Sequence, residues 1–134
     1  MAVQLSVTAR NAKLDSIETT VGTAPKLQIR TGAQPASCAT ADSGTLLCEM
    51  DLPSDWAAAA SSGSKAKAGT WSDVGVAAGT AGHWRLKDTA GTTCHAQGTC
   101  TATGGGGDMT LDNTSIAVDQ TVTVNTFTMN EGNA

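Results

Sequence analysis

Aromatic side chains are scarce in this 134-residue chain, which has three Trp, one Phe and no Tyr. The core must therefore consist mainly of aliphatic side chains, and hydrophobic residues still make up 40% of the chain. Charged residues amount to 15%, against roughly 25% in ordinary globular domains. A chain of this length suits one domain with one core, and a surface so poor in charge suggests that neighbouring subunits cover part of it.

Basic clusters and long apolar runs are also lacking. The net charge is −4 and the eight Lys and Arg residues are scattered, which disfavours binding to a phosphate backbone and so predicts no nucleic-acid partner. No stretch approaches the ~18 consecutive apolar residues of a membrane span, so we predict no membrane partner. The N-terminus has no basic and apolar signal pattern, which predicts synthesis in the cytosol.

Four cysteines are present, at positions 38, 48, 94 and 100. In a reducing cytosol they should remain free thiols. On one predicted strand, Cys94 and Cys100 would lie about 20 Å apart, too far for a bridge, and their shared parity would put both on the same face. We therefore interpret this pair as small core residues.

Short β-branched runs separated by Gly, Asp and Asn dominate the chain and predict half-buried strands with tight turns. The final run changes phase between Val124 and Phe127, which predicts a bulge or bend at Asn125–Thr126, or alternatively a strand that is buried on both faces there. Trp71 is expected to be packed, whereas Trp56–Ala60 is ambiguous between a single helical turn and a surface excursion. The predicted strands cover residues 3–7, 26–30, 44–52, 67–73, 81–87, 92–101, 109–111 and 120–129.

One segment follows a helical period instead. Leu14, Ile17 and Val21 form an apolar stripe, and Gly22 suits the residue after a helix end. We predict one short helix over residues 9–21. The fold class is then mainly β, an antiparallel β-sandwich of the jelly-roll or Ig-like kind, in which residues 1–134 form a single domain and residues 1–22 an N-terminal strand-plus-helix arm.

The candidate metal ligands are Cys94, His95 and Cys100, together with His83. The six-residue gap between the cysteines is too long for a usual zinc pair, and adjacent residues of a strand point to opposite faces. We predict no metal site there. Loop oxygens offer an alternative Ca²⁺ site, although turn formation explains these residues better; they are Asp108, Asp112, Asn113 and Asp119.

No catalytic constellation stands out. Both histidines lie in strand-like runs, and no nucleophile elbow occurs. Glu49 and Asp51 share a strand face but nothing indicates a cleft around them. The run 104–108 is rich in Gly but precedes a predicted strand instead of a helix, which favours an inter-strand loop over a phosphate cradle. We therefore predict neither an enzyme nor a cofactor.

Several short segments of the sequence resemble segments of small structural proteins of tailed bacteriophages, among them LPSDW at 52–56 and GTAGHWR at 79–85. The resemblance implies a virion component made in the host cytoplasm, a capsid decoration or cement protein whose partners are the major capsid protein and copies of itself. A tail or head–tail role stays open, because no motif separates the two. The other matching stretches are residues 5–7, 10–18, 61–65, 107–116 and 120–124.

The alternation of Val3, Leu5 and Val7 at the extreme terminus predicts a strand that pairs with a neighbouring subunit, with Trp56 as a second contact candidate. A partner strand in the same chain is an equal alternative. A surface carbohydrate-binding module would instead need exposed aromatic rings, and only the three tryptophans are suited to that role. A hydrolase of unknown type is the third hypothesis.

Overall fold

The computed structural model describes residues 3–132. Within this range the chain is mainly β, as predicted, with one helix, α1, over Val7–Val21. The strands are β1 (Lys26–Thr31), β2 (Leu46–Asp51), β3 (Ser64–Ala66), β4 (Ser72–Val74), β5 (Gly79–Lys87), β6 (Cys94–Ala102), β7 (Met109–Leu111), β8 (Ser115–Ile116) and β9 (Thr121–Asn130).

Helix α1 begins and ends at residues suited to those positions. The Ser6 side chain accepts a hydrogen bond from the Ala9 amide at 3.1 Å, which satisfies an N–H at the helix start. Gly22 follows the helix with φ +93°, a conformation that favours glycine. Leu14 and Val21 are buried along the predicted stripe. The predicted helix is confirmed and extends two residues further at its start.

The strands form a curled, mixed sheet shaped as a half-barrel, in the order β2-β1-β5-β6-β7-β9-β3. Strand β4 also pairs with β9, and β8 with β5. At the far end of the curl, the Val76 amide donates to the Leu47 carbonyl at 2.7 Å and so joins the segment after β4 to β2. Strands β6 and β7 are parallel, so the expectation of a purely antiparallel arrangement is wrong at this pair.

The glycine run explains how two parallel strands follow each other so closely. Parallel neighbours usually need a crossover of a dozen or more residues, yet residues 103–108 suffice here. Gly104 and Gly106 adopt φ +86° and +80°, and the Gly107 amide donates to the Thr101 hydroxyl at 3.0 Å. The loop predicted between the strands is therefore confirmed, and it reverses the chain twice.

All four aromatic residues meet in one core cluster. Phe127 lies 5.3 Å from Trp71 and 5.1 Å from Trp84 between ring centroids, and Trp56 lies 6.1 Å from Trp71. Aliphatic side chains from both halves of the curled sheet complete the core, including Leu27, Ile29, Leu86, Val122 and Val124. The scarcity of rings is thus compensated by placing every one of them in a single contiguous core.

Strand β9 contains the predicted irregularity. Thr110 pairs with Thr126 and Leu111 with Val124, so Asn125 is the extra residue. Both Val124 and Phe127 are consequently buried despite their opposite parity. The bulge is confirmed.

Two predicted strands are wrong. Residues 3–6 form neither helix nor strand, and Val7 already belongs to α1. The predicted strand 67–73 is replaced by the separate strands β3 and β4, although Trp71 between them is buried as expected. A strand needs a hydrogen-bonded neighbour, and the Ser6 cap gives Val7 and the residues after it a local alternative.

Cys94 is a further correction. Leu86 pairs with Ala96 but Lys87 pairs with Cys94, so β6 has an extra residue at this point. This shift turns Cys94 to the face opposite Cys100, and only Cys100 joins the core. All four cysteines have free thiols, as predicted, but Cys94 is not a core residue.

Replacing Gly82 by alanine should destabilise the fold by about 1–3 kcal/mol, because an added Cβ would collide with backbone atoms of Gly32. Backbone atoms cannot move aside as the end of a flexible side chain could. Urea unfolding measures the effect. Gly132→Ala is the control, since a Cβ there meets nothing within 4 Å. Equal stability of the two variants would contradict the close approach.

Candidate functional site

The outer face of the sheet is polar and buried. Strand β5 alternates Trp84 and Leu86, which point to the core, with His83, Arg85 and Lys87, all of them less than 7% exposed. Residues 32–45, the covering loop, close over this outer face. The covered polar face consists of Gln28, Arg30, His83, Arg85, Lys87 and Gln97.

Asp42 is the hub of this face. Its carboxylate accepts from Arg30 Nη2 at 3.1 Å, from Arg85 Nη1 at 2.9 Å and from Lys87 Nζ at 2.6 Å. Burial by itself would raise the pKa of Asp42, but the Lys87 hydrogen bond and the three positive charges outweigh it and lower the pKa. One carboxylate therefore holds three cations and ties the covering loop to β1 and β5.

The remaining donors of Arg85 bind the same loop and the first residue of β6. Nη1 also donates to the Thr40 carbonyl at 2.9 Å, Nη2 to the Cys38 carbonyl at 2.8 Å, and Nε to Cys94 Sγ at 3.2 Å. A guanidinium with this many partners inside the protein fixes the relative positions of the groups that it binds. Its directed N–H groups fix the loop's position over β6.

Two polar atoms of the covered face have no hydrogen-bond partner among residues 3–132. His83 Nδ1 lies 2.9 Å from the Gly32 carbonyl, which can only accept, so Nδ1 carries the hydrogen and Nε2 is the orphan. Gln97 Nε2 donates to the Pro35 carbonyl at 2.7 Å, and its Oε1 is the other orphan. Both residues anchor the first half of the covering loop.

A polar cavity of about 250 Å³ opens at the end of the covering loop. Its walls include both half-buried thiols, together with the charged groups of the Asp42 hub. The lining residues that carry chemistry are Cys38, Thr40, Asp42, Arg85, Lys87 and Cys94.

A second buried charge fastens the helix to the sheet. Lys65 on β3 has a fully buried side chain, and its Nζ lies 2.8 Å from Asp15 and 2.7 Å from Glu18 on α1. Burial by itself would lower the pKa of Lys65, but the hydrogen bonds to the two carboxylates raise it overall. The helix of the predicted arm is thus clamped to the body by ion pairs.

The predicted contact residues lie in different environments. Val3 is 77% exposed and Val7 47% exposed, whereas Leu5 is half-buried. Trp56 is completely buried, and its Nε1 donates to the Gly22 carbonyl at 3.0 Å. Trp56 is therefore a core residue in this chain, and the terminal valines are the members of the predicted set that face outward.

The acidic and amide side chains of the predicted loop site make hydrogen bonds to nearby backbone and hydroxyl groups. Asp112 accepts from the Asn113 and Thr123 amides, and Asn113 accepts from the Ser115 amide, which is turn formation as predicted. Asp108 accepts from the Thr99 amide and hydroxyl. Within the described residues, no group of three or more His, Cys, Asp or Glu side chains is arranged to hold a metal ion.

Sequence reasoning missed the covered polar face. The alternation of His83, Arg85 and Lys87 with Trp84 and Leu86 was a usable signal for a strand with one polar face. Nothing in the sequence indicated that this face would be covered. Asp42 and Cys38 lie in a segment rich in Gly, Pro and Ser, which has no periodicity from which to infer a contact with β5.

Among residues 3–132, no helix is long and apolar enough to cross a membrane. Comparison of the chain with protein-family models, with curated protein sequences and with solved structures found no match.

Proposed function

We propose that this protein is a non-enzymatic structural subunit of a tailed-phage virion, a decoration or cement protein that binds the major capsid protein and copies of itself. It is made in the host cytoplasm and acts on the assembled shell. The observation that carries the proposal is the N-terminal segment, where Val3 is 77% exposed and lies outside the sheet, directly before a helix clamped to the body.

The use of charge supports a role in contact rather than catalysis. Of the chain's few ionisable groups, Arg30, Arg85 and Lys87 are committed to Asp42, and Lys65 to α1. The remaining surface carries small polar residues, exposed aspartates such as Asp51 and Asp73, and a few exposed valines. Its uncharged parts lose little on desolvation and suit burial against a neighbouring subunit.

The proposal includes the sandwich expected from the sequence. One half of the curled sheet contains β2, β1, β5 and β6, and the other contains β7 and β9 with β3 and β4. The two halves share one core, and we infer that they are the two layers of a rigid sandwich. A carbohydrate-binding alternative has less support, because all three tryptophans are at most 4% exposed and present no ring on which a sugar can stack.

The double variant Val3→Ser, Val7→Ser should bind capsids at least tenfold more weakly than the parent protein. Burying two valines contributes about 1.5 kcal/mol each, and about 1.4 kcal/mol corresponds to a factor of ten. Co-sedimentation with capsids of the encoding phage, stripped of accessory proteins, measures the binding.

The matched control is Val76→Ser, Val118→Ser, which changes two valines that are 58% and 56% exposed elsewhere on the surface. It should bind as the parent does. Both variants should unfold at the parental temperature. Undiminished binding by the terminal variant would refute the assigned contact, and its unfolding would place the segment in its own core. A parent protein that fails to bind capsids would refute decoration.

A further inference from the structure

Two cysteines that are distant in sequence meet at the cavity under the covering loop. Cys38 belongs to that loop and Cys94 begins β6, and both residues are half-buried and line the cavity of about 250 Å³. We propose that Cys38 and Cys94 are a selective oxidation site, which closes into a single disulfide when the protein meets a small disulfide oxidant.

Arg85 brings the two residues together. Its Nη2 donates to the Cys38 carbonyl at 2.8 Å while its Nε donates to Cys94 Sγ at 3.2 Å. The thiols are close enough that Cys94, after burial, contributes to raising the pKa of Cys38 to about 11. A planar, directed guanidinium therefore holds the Cys38 backbone and the Cys94 sulfur beside the same cavity.

The other two thiols are protected from the same chemistry. Cys48 is 0% and Cys100 4% exposed, and both belong to the core cluster. A reagent that reaches the cavity therefore meets two thiols and not four.

The exchange proceeds in two balanced steps. Cys94 sulfur attacks one sulfur of the oxidant's S–S bond, which breaks and releases one small thiolate that takes up the Cys94 proton. The Arg85 guanidinium lies beside the attacking sulfur, with its Nε 3.2 Å from Sγ. Cys38 sulfur then attacks Cys94 sulfur, its proton leaves with the second small thiol, and the protein is oxidised by two electrons.

Closure of the disulfide requires the turn that carries Cys38 to move toward Cys94. A disulfide requires an S–S distance near 2.05 Å and Cα atoms within about 7 Å. Around Cys38 the loop is held by hydrogen bonds, such as that from the Thr40 amide to the Ser37 carbonyl at 3.1 Å. Forming the bond shifts this turn toward Cys94 and then locks the loop to β6.

The experiment treats the folded full-length protein with excess oxidised glutathione, then unfolds and alkylates it. We expect a mass lower by about 2 Da before alkylation, two alkylated cysteines in place of the four available thiols, and a crosslinked peptide joining Cys38 to Cys94. The oxidised protein should melt about 5 °C higher, and dithiothreitol should reverse the gain.

Cys38→Ser is the decisive variant and Cys48→Ser its matched control. The first should stop at a mixed disulfide between Cys94 and glutathione, whereas the second should still lose about 2 Da. Four alkylated cysteines after oxidation, a bond to Cys48 or Cys100, or a crosslinked dimer would each overturn the proposal. The assay uses no capsids, so its result is independent of the proposed function.

Discussion

Replacing Asp42 by asparagine should lower the free energy of unfolding by about 3 kcal/mol, because it leaves buried cations without their anion. Arg85 and Lys87 are 1% and 6% exposed and both bind this carboxylate. Asparagine keeps the size but turns one acceptor oxygen into an NH₂ donor, which faces cations that can only donate. Chemical unfolding in urea measures the loss.

Asp51→Asn is the matched control. Asp51 also binds a lysine, Lys26, at 2.5 Å, but its side chain is 73% exposed. Surface pairs of this kind contribute little, so the midpoint of unfolding should barely change. If the two variants unfold at the same urea concentration, the hub at Asp42 does not hold the covering loop.

The same hub predicts a dependence on pH. A carboxyl group whose pKa is lower in the folded than in the unfolded protein stabilises the fold above its unfolded pKa, near 3.9. Asp42 meets this condition, so its contribution is present at neutral pH and is lost as the pH falls through its folded pKa. The difference in stability between the parent protein and Asp42→Asn should therefore shrink below about pH 4.

Replacing Phe127 by alanine should cost about 4 kcal/mol, because it empties the centre of the aromatic cluster. Phe127 is 3% exposed and contacts the rings of both Trp71 and Trp84. The loss combines transfer of the ring to water, the cavity that remains and two ring–ring contacts. Thermal or urea unfolding measures it, and the near-ultraviolet circular dichroism of the tryptophans should weaken as well.

Phe127→Leu provides the comparison. Leucine retains most of the apolar volume, so this variant should lose about 1.5 kcal/mol at most. A loss for alanine no greater than that for leucine would show that the cluster relaxes around the missing ring. The site would then not be the rigid centre that the ring geometry indicates.

Much of the local structure could be predicted because it depends on neighbours in the chain. The stripe of Leu14, Ile17 and Val21 indicated the helix, and the phase change before Phe127 indicated the bulge in β9. Both patterns record which side of one element meets the core. Neither requires knowledge of what lies across from it.

The terminal segment shows where such patterns fail. Val3, Leu5 and Val7 alternate as a strand would, yet the structure forms no strand there and Val7 starts the helix. Alternation of apolar and polar residues indicates which face of a strand would be apolar. A strand forms only where a partner supplies hydrogen bonds. The cap at Ser6 needs only the adjacent Ala9 amide, so the local solution prevails in this chain.

The sequence by itself determined the class of the fold, the helix and most of the strands, since these follow from periodicity and turn chemistry over a few residues. The tertiary structure alone decided the candidate site. Asp42 meets Arg85 and Lys87, and Cys38 meets Cys94, because the covering loop folds back over β5 and β6. Side-chain spacing along the chain carries no record of such a contact, whereas burial of three cations around one carboxylate requires it.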